Sequence, residues 1–372
     1  MYEKDRAWVE LDRSNLVHNI NVIRSILPEG CTLMPCVKAN AFGHGAELIS
    51  RILMEIGIRD YCVACLTEAI ELRAAGIEGQ ILILGYTAPE DFPALIKYDL
   101  TQTVVDCGYG RLLNDFGKPV HVHVAIDTGM HRIGERCEHI DEIASLWTLP
   151  NLLIDGVYTH LCTSDDTDED SIKFVHQQKD AFDKVICELS SRGISGFKAH
   201  IQASSGLANY PDFRYDYART GALVYGNEGT PADKVPGRLG LKKVLSLKAR
   251  ISTVRDLLPG DTVSYGRTFT ADHAMKCASL GIGYADGLPK LLSNCWHVLV
   301  NGVSCPMIGT MCMDSVMIDV SSVPEVKQGD IAVIIGKSGD QEIKACDLAW
   351  KTGVNTNAVL SCLSPRVARI VV

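Results

Sequence analysis

The sequence predicts two units: an N-terminal TIM-like (β/α)8 barrel, an α/β architecture, followed by a smaller, mostly β domain. Three observations carry this expectation. The chain of 372 residues is too long for one average domain. Short apolar runs alternate with helical stretches over about 200 residues, as a barrel of this class requires. From residue 240 onward the helical stretches give way to brief strand-like runs separated by turns.

The first run, Ala7-Trp8-Val9-Glu10-Leu11-Asp12, alternates as a half-buried strand does, and a helix is expected at 14–26. Eight apolar runs follow, at 32–37, 61–66, 81–86, 102–105, 121–126, 153–159, 198–203 and 219–225. Helices are expected between most of them, among them 45–56, 67–75 and 171–192. A doubly wound open sheet is the rival, but no GxGxxG follows an early strand. Beyond it, 244–252 is strand-like and further short strands are expected at 275–283, 296–300, 315–320 and 331–336. Leu258-Pro259-Gly260-Asp261 and Lys327-Gln328-Gly329-Asp330 read as turns. The boundary is expected near Val235-Pro236-Gly237, giving a barrel over 10–237 and a β domain over 238–372, which the N-terminal strand 1–9 joins.

Apolar residues make up 47% of the chain, enough for a sizeable core. The net charge of -9 argues against nucleic acid or an anionic membrane as a partner. No apolar run reaches the ~18 residues a membrane span needs. Met1-Tyr2-Glu3-Lys4-Asp5-Arg6 has no signal-peptide character, so a soluble intracellular chain is expected. Fourteen cysteines are scattered, mostly inside apolar runs. The lone CxxC, Cys62 and Cys65, has no second pair to complete a zinc site, so reduced packing thiols and no metal are expected.

In a barrel, functional residues gather at the C-terminal ends of strands. Lys38 follows the first run, where loss of hydration frees a lysine amine for carbonyl chemistry. Asp127-Thr128-Gly129-Met130-His131-Arg132-Ile133-Gly134 follows the fifth, and His160 ends the sixth. Ser204 and Ser205 follow the seventh, and Arg219-Thr220-Gly221 falls around the eighth. A Gly221 amide and a Ser204 hydroxyl suit a phosphate. Each residue has a plainer reading: a snorkelling lysine, a structural histidine, a Ser-Ser-Gly turn. Their shared place at one barrel end favours a site.

Val37-Lys38-Ala39-Asn40-Ala41-Phe42-Gly43-His44-Gly45 resembles the cofactor-lysine signature of the alanine racemase family, usually VKANAYGHG. The resemblance extends through DTGMHRIG, Tyr158-Thr159-His160, His200 to Ser205 and Arg219 to Gly226. It continues in the second unit with Val263-Ser264-Tyr265-Gly266-Arg267, Gly283-Tyr284-Ala285-Asp286-Gly287 and Cys312-Met313-Asp314. It implies a fold-type III enzyme carrying pyridoxal 5'-phosphate, with Lys38 holding the cofactor aldehyde. His160, Ser204, Arg219, Gly221 and Tyr225 would also contact the cofactor. Arg132, Tyr284, Met313, Asp314 and Asn357 would line the substrate. Lys38 and Tyr265 would carry the proton on opposite faces, with Tyr265 reaching the site from the neighbouring subunit of a homodimer. Phenols ordinarily titrate near 10, so His160 and Arg219 would support Tyr265 from behind.

Several positions depart from the family pattern. Phe42 replaces the tyrosine, Ala125 stands where a carbamylated lysine is common, and Gln202-Ala203-Ser204 lacks the usual asparagine. Thr310 replaces an arginine and Ser315 a glutamine. Asn357 falls where a tyrosine normally flanks the substrate side chain; it is smaller and both donates and accepts. Such a site favours a hydroxyl, and serine is therefore the expected substrate beside alanine. The pattern resembles the racemase domain of VanT-type membrane proteins of vancomycin-resistance clusters, which make D-serine for cell-wall precursors. That resemblance implies a cytoplasmic catalytic domain excised from a membrane-anchored parent. The alternatives are a plain alanine racemase, a non-catalytic cofactor-carrying barrel and a decarboxylase of the same fold type.

Overall fold

Parallel strands covered on both faces read as unbroken apolar runs. In the computed structural model, Ile81, Leu82 and Ile83 are accordingly each 0% exposed. The structure describes residues 4–227 and 239–372. Eight parallel strands close a barrel: Thr32–Leu33, Asp60–Val63, Gln80–Ile83, Thr101–Val104, Val120–Asp127, Leu152–Tyr158, Lys198–His200 and Tyr217–Ala218. Single bridges, Cys36 with Cys62 and Gln202 with Ala218, join the first strand to the second and the seventh to the eighth. Tyr217 and Ala218 then pair with Thr32 and Leu33 to complete the ring.

Helices fill the crossovers, and capping residues set their starts. Asp12 accepts the Asn15 N–H at 2.8 Å ahead of Arg13–Ile26. Asp168 does the same for Ser171 at 2.9 Å, so the long helix Glu169–Ser191 starts before the position its apolar spacing predicts. The run 219–225 does not form the eighth strand. That strand is Tyr217–Ala218, and Ala222–Tyr225 winds into a 3-10 turn ended by Gly226 at φ 81°. A Cβ on Gly226 would lie 2.0 Å from the Lys242 carbonyl oxygen. Arg219 and Gly221 therefore lie past the strand end, on the loop side of the barrel.

The second unit is a nine-stranded sheet. Its order is Gln341–Ile343, Ile331–Ser338, His297–Val300, Val303–Ile308, Val316–Asp319, Met275–Leu280, Leu245–Leu257, Ala7–Leu11 and Ala368–Val371. Ile331–Ser338 also pairs with Leu245–Leu257, so part of the sheet curls back on itself. Ala7–Leu11 lies antiparallel to Leu245–Leu257 and parallel to Ala368–Val371. It is not half-buried: Trp8 and Val9, which face opposite sides of the sheet, and Leu11 are each 0% exposed, so both faces are covered. It also continues through Leu11, two residues past the expected end of the joining strand. Residues 1–3 and the expected boundary at Val235-Pro236-Gly237 lie outside the described residues.

All fourteen cysteines are free thiols. The packing expectation holds for Cys36, Cys62, Cys107, Cys277 and Cys305, whereas Cys65, Cys187, Cys295 and Cys362 are exposed. Among the described residues no helix is long and apolar enough to cross a membrane.

Candidate active site

Loops leaving the C-terminal ends of the barrel strands enclose a cavity of about 700 Å³. Lys38, Arg132, His160, Ser204, Arg219, Gly221 and Asn357 all line it.

Lys38 opens the turn Lys38–Phe42, in which Ala39, Asn40, Ala41 and Phe42 have φ of 51°, 53°, 54° and 53°. Left-handed backbone costs about 1–2 kcal/mol per non-glycine residue, so neighbours must hold this turn. Glu68 does so with both oxygens, accepting the Ala39 and Ala64 N–H groups at 2.7 Å. Asn40 accepts the Ala46 N–H at 2.7 Å. Gly43 seats the turn against the second unit: a Cβ there would lie 1.8 Å from the Leu360 carbonyl oxygen. The sequence reads here as a glycine-punctuated loop, and only Asn40, a residue tolerant of this conformation, hinted at the left-handed turn.

Arg219 is buried beneath the cavity floor, with its guanidinium carbon 4.7 Å from the centre of the Tyr158 ring. Its Nη1 donates to His200 Nδ1 and to the His200 carbonyl at 3.3 Å. Its Nη2 donates to the Thr159 carbonyl at 2.8 Å and faces His160 Nδ1 at 3.4 Å. Among the described residues this leaves Nε–H as the donor without a protein partner. Burial first, then the charges of Arg219, Arg132 and Lys38, push His160 down to about 3, so its ring is neutral. With Nδ1 facing a donor, the His160 proton sits on Nε2. Gln178, from the long helix, donates to the His160 carbonyl at 3.1 Å and to Thr128 Oγ1 at 3.3 Å.

At the cavity edge Ser204 Oγ accepts the Gly221 N–H at 3.0 Å. A Cβ on Gly221 would meet the Phe42 ring at 2.7 Å, so this backbone can come close only as glycine. Arg132 stands on a loop tied by Asp127, whose carboxylate accepts the Gly129 and His131 N–H groups at 3.0 Å. Arg132 itself makes no hydrogen bond to the described residues. A gap of about 20 Å³ beside Ala125 is bordered by Arg132 and His160. Asn357 belongs to the helix Thr356–Ser361, whose start Asn355 caps by accepting the Ala358 N–H at 2.7 Å.

Five expected site residues lie elsewhere in the chain. Tyr225 is fully buried, donates to the Cys36 carbonyl at 2.9 Å and stacks on His44 at 4.4 Å. It borders a separate space of about 870 Å³ between the two units. Tyr265, Tyr284 and Met313 are 74%, 38% and 52% exposed on the second unit and do not line the cavity. They neighbour one another: Ser264 Oγ donates to the Thr310 carbonyl, and the Tyr284 N–H to the Cys312 carbonyl at 3.1 Å. Asp314 pairs with Arg366 at 2.5 Å.

Three further residues support the site: Gln80 and His123 meet inside the barrel at 3.2 Å, and Gln178 holds the His160 carbonyl; a histidine at an inward position of the apolar strand 121–126 was the one sequence signal for them. Among the described residues one trio, Cys107, Glu135 and Glu142, brings metal-type ligand atoms together. Glu135 there already accepts the Cys107 N–H at 3.1 Å and pairs with His139 at 2.7 Å, which accounts for its position.

Two family models match the chain: the alanine racemase N-terminal domain over residues 11–229 and the C-terminal domain over 244–371. An amino-acid racemase of Enterococcus faecalis is 38% identical over 98% of this chain, and a serine/alanine racemase of Enterococcus gallinarum 36% identical over 98%. The chain spans about half of these relatives, 51% of each. The structure of alanine racemase from Clostridium difficile 630 superposes with a TM-score of 0.92 at 31% identity, covering 99% of this chain and 96% of that one. This chain belongs to the alanine racemase family.

Proposed function

We propose that the chain racemises serine and alanine with pyridoxal 5'-phosphate, and that Asn357 admits the serine hydroxyl. The observation that carries this reading is the position of Asn357 in the wall of the same cavity as Lys38 and Arg132.

Pyridoxal 5'-phosphate is the family's cofactor, and the donor set fits it. Lys38 offers an amine for its aldehyde, Ser204 keeps its O–H to donate to its phosphate while accepting the Gly221 N–H, and Arg219 keeps one N–H for its ring nitrogen. An arginine does not surrender its proton, so an acceptor beside it stays unprotonated. Bound there, the cofactor withdraws electrons from the amino-acid Cα and makes its proton acidic. That restraint at the ring nitrogen limits side reactions such as transamination.

Arg132, a cation without a partner among the described residues, holds the substrate carboxylate. Lys38, once the substrate amine has displaced it, takes or returns the Cα proton on one face. Tyr265 does so on the other. Its exposed phenol lies outside its own chain's cavity, which supports a homodimer in which each subunit completes its neighbour's site. His160 Nε2–H then faces that phenol, backed by Arg219. Tyr284, Met313 and Asp314, on the same surface as Tyr265, close the substrate side. Free thiols throughout support a reducing, cytoplasmic setting. A part in cell-wall precursor supply follows if D-serine is the product.

The test is racemisation of L-serine and L-alanine by the purified chain with cofactor, beside Asn357→Tyr. We expect wild type to turn over both, and the variant to lose serine relative to alanine about ten-fold, the worth of one hydrogen bond. Turnover of alanine alone by wild type would leave a plain alanine racemase, the reading that the Clostridium difficile likeness favours.

A further inference from the structure

A row of polar side chains crosses the interior of the barrel, and beyond Arg219 none of it enters the proton transfers above. Arg219 Nη1 meets His200 Nδ1, and His200 Nε2 lies 2.8 Å from His123 Nδ1. His123 Nε2 lies 3.2 Å from the Gln80 amide, whose same atom is 3.3 Å from Thr101 Oγ1. The other end of that amide is 3.3 Å from the Tyr217 hydroxyl, which in turn is 3.2 Å from Asp60. His123 and His200 are both fully buried.

Only one arrangement of protons satisfies every contact in this row. A guanidinium donates and never accepts, so His200 Nδ1 is the acceptor and the His200 proton sits on Nε2. That proton goes to His123 Nδ1, which puts the His123 proton on Nε2. Gln80 must then present its oxygen, an orientation that hydrogen-bond logic assigns for any glutamine. With oxygen toward His123 and Thr101, the Gln80 NH₂ donates to Tyr217, and Tyr217 donates to Asp60. Reversing the row would set an N–H of His200 against an N–H of Arg219. Both rings are neutral: burial first, then the Arg219 charge, pushes His123 down to about 3 and His200 lower than its ordinary value.

We propose that His123, backed by Gln80, is a positioning residue for Arg219, fixing the His200 tautomer so that the guanidinium presents a single N–H to an unprotonated ring nitrogen. This rests on the cofactor reading above. It adds residues on the far side of the barrel, out of reach of substrate and cofactor, whose hydrogen-bond direction decides how Arg219 is held. With a leucine at 123, the His200 Nε2–H is left buried without an acceptor, and the ring is no longer held in the orientation that presents Nδ1 to Arg219.

Two measurements test it. In wild type with selectively ¹⁵N-labelled histidines, both His123 and His200 should show the Nε2–H tautomer, which NMR reads whether or not the chain is active. A proton on Nδ1 of either ring would overturn the proposal without touching the racemase reading; absence of racemisation with correct tautomers would fault that reading alone. In kinetics, His123→Leu should lose about 10–100-fold in kcat, the usual cost of removing an outer partner, with KM nearly unchanged. It should also release more transaminated cofactor per turnover. His123→Asn, whose Oδ1 replaces Nδ1 as acceptor, should recover most of that kcat. Equal kcat in the leucine and asparagine variants would contradict the role.

Discussion

Asp286 shows how a single residue joins the N-terminal strand region to the second unit. Its carboxylate is fully buried and accepts two hydrogen bonds from Arg6, at 2.6 and 2.8 Å, and one from the Gly283 N–H at 2.9 Å. Burial works against ionisation, but Arg6 and Gly283 outweigh it and hold the carboxyl below the usual range. Because the folded value lies below the unfolded one, near 3.9, the stabilisation is complete above that pH and is lost as pH falls through the folded value. Arg6→Ala leaves the buried charge with Arg366 Nε, at 3.7 Å, as its one cation among the described residues, and should cost about 3 kcal/mol near neutrality. Urea unfolding should show that cost shrinking in acid. A pH-independent cost would show that the lost packing, not the charge, is responsible. The motif Gly283 to Gly287 was legible in the sequence, but the pairing of Asp286 with a residue 280 positions away was not.

At the scale of elements, the left-handed turn after Lys38 depends on the second unit. Gly43 combines φ of 81° with a contact that leaves no room for a Cβ beside Leu360. Gly43→Ala should therefore cost well beyond the about 1–2 kcal/mol of the backbone alone and weaken cofactor retention. Gly76→Ala, at φ 79° with nothing within 4 Å, should cost only that backbone amount and leave retention unchanged. Equal unfolding costs would show that the Leu360 contact yields. Strand positions were readable because burial on both faces leaves continuous apolar runs, and seven of the eight expected runs overlap observed strands. The eighth failed because 219–225 is apolar for another reason: Leu223, Val224 and Tyr225 pack as a buried 3-10 turn. Of the four consecutive left-handed residues only Asn40 is a type that tolerates this backbone, so the turn at Lys38 left almost no compositional trace.

Over the whole molecule, the cavity gathers groups from both units, whereas Tyr265, Tyr284 and Met313 stay exposed on a surface of the second. The two-unit architecture and six of the residues that line the cavity, Lys38, Arg132, His160, Ser204, Arg219 and Gly221, were legible, because barrels place chemistry at strand ends. The hydrogen-bonded row behind Arg219 was not, since its members come from strands far apart in sequence. In the proposed mechanism Lys38 and Tyr265 of different subunits are the two proton carriers of one site. The decisive experiment mixes Lys38→Ala with Tyr265→Phe after subunit exchange. Each variant alone should be inactive, and the mixture should regain part of the wild-type rate, because each mixed dimer contains one site with both residues intact. A mixture as inactive as its components would contradict that mechanism.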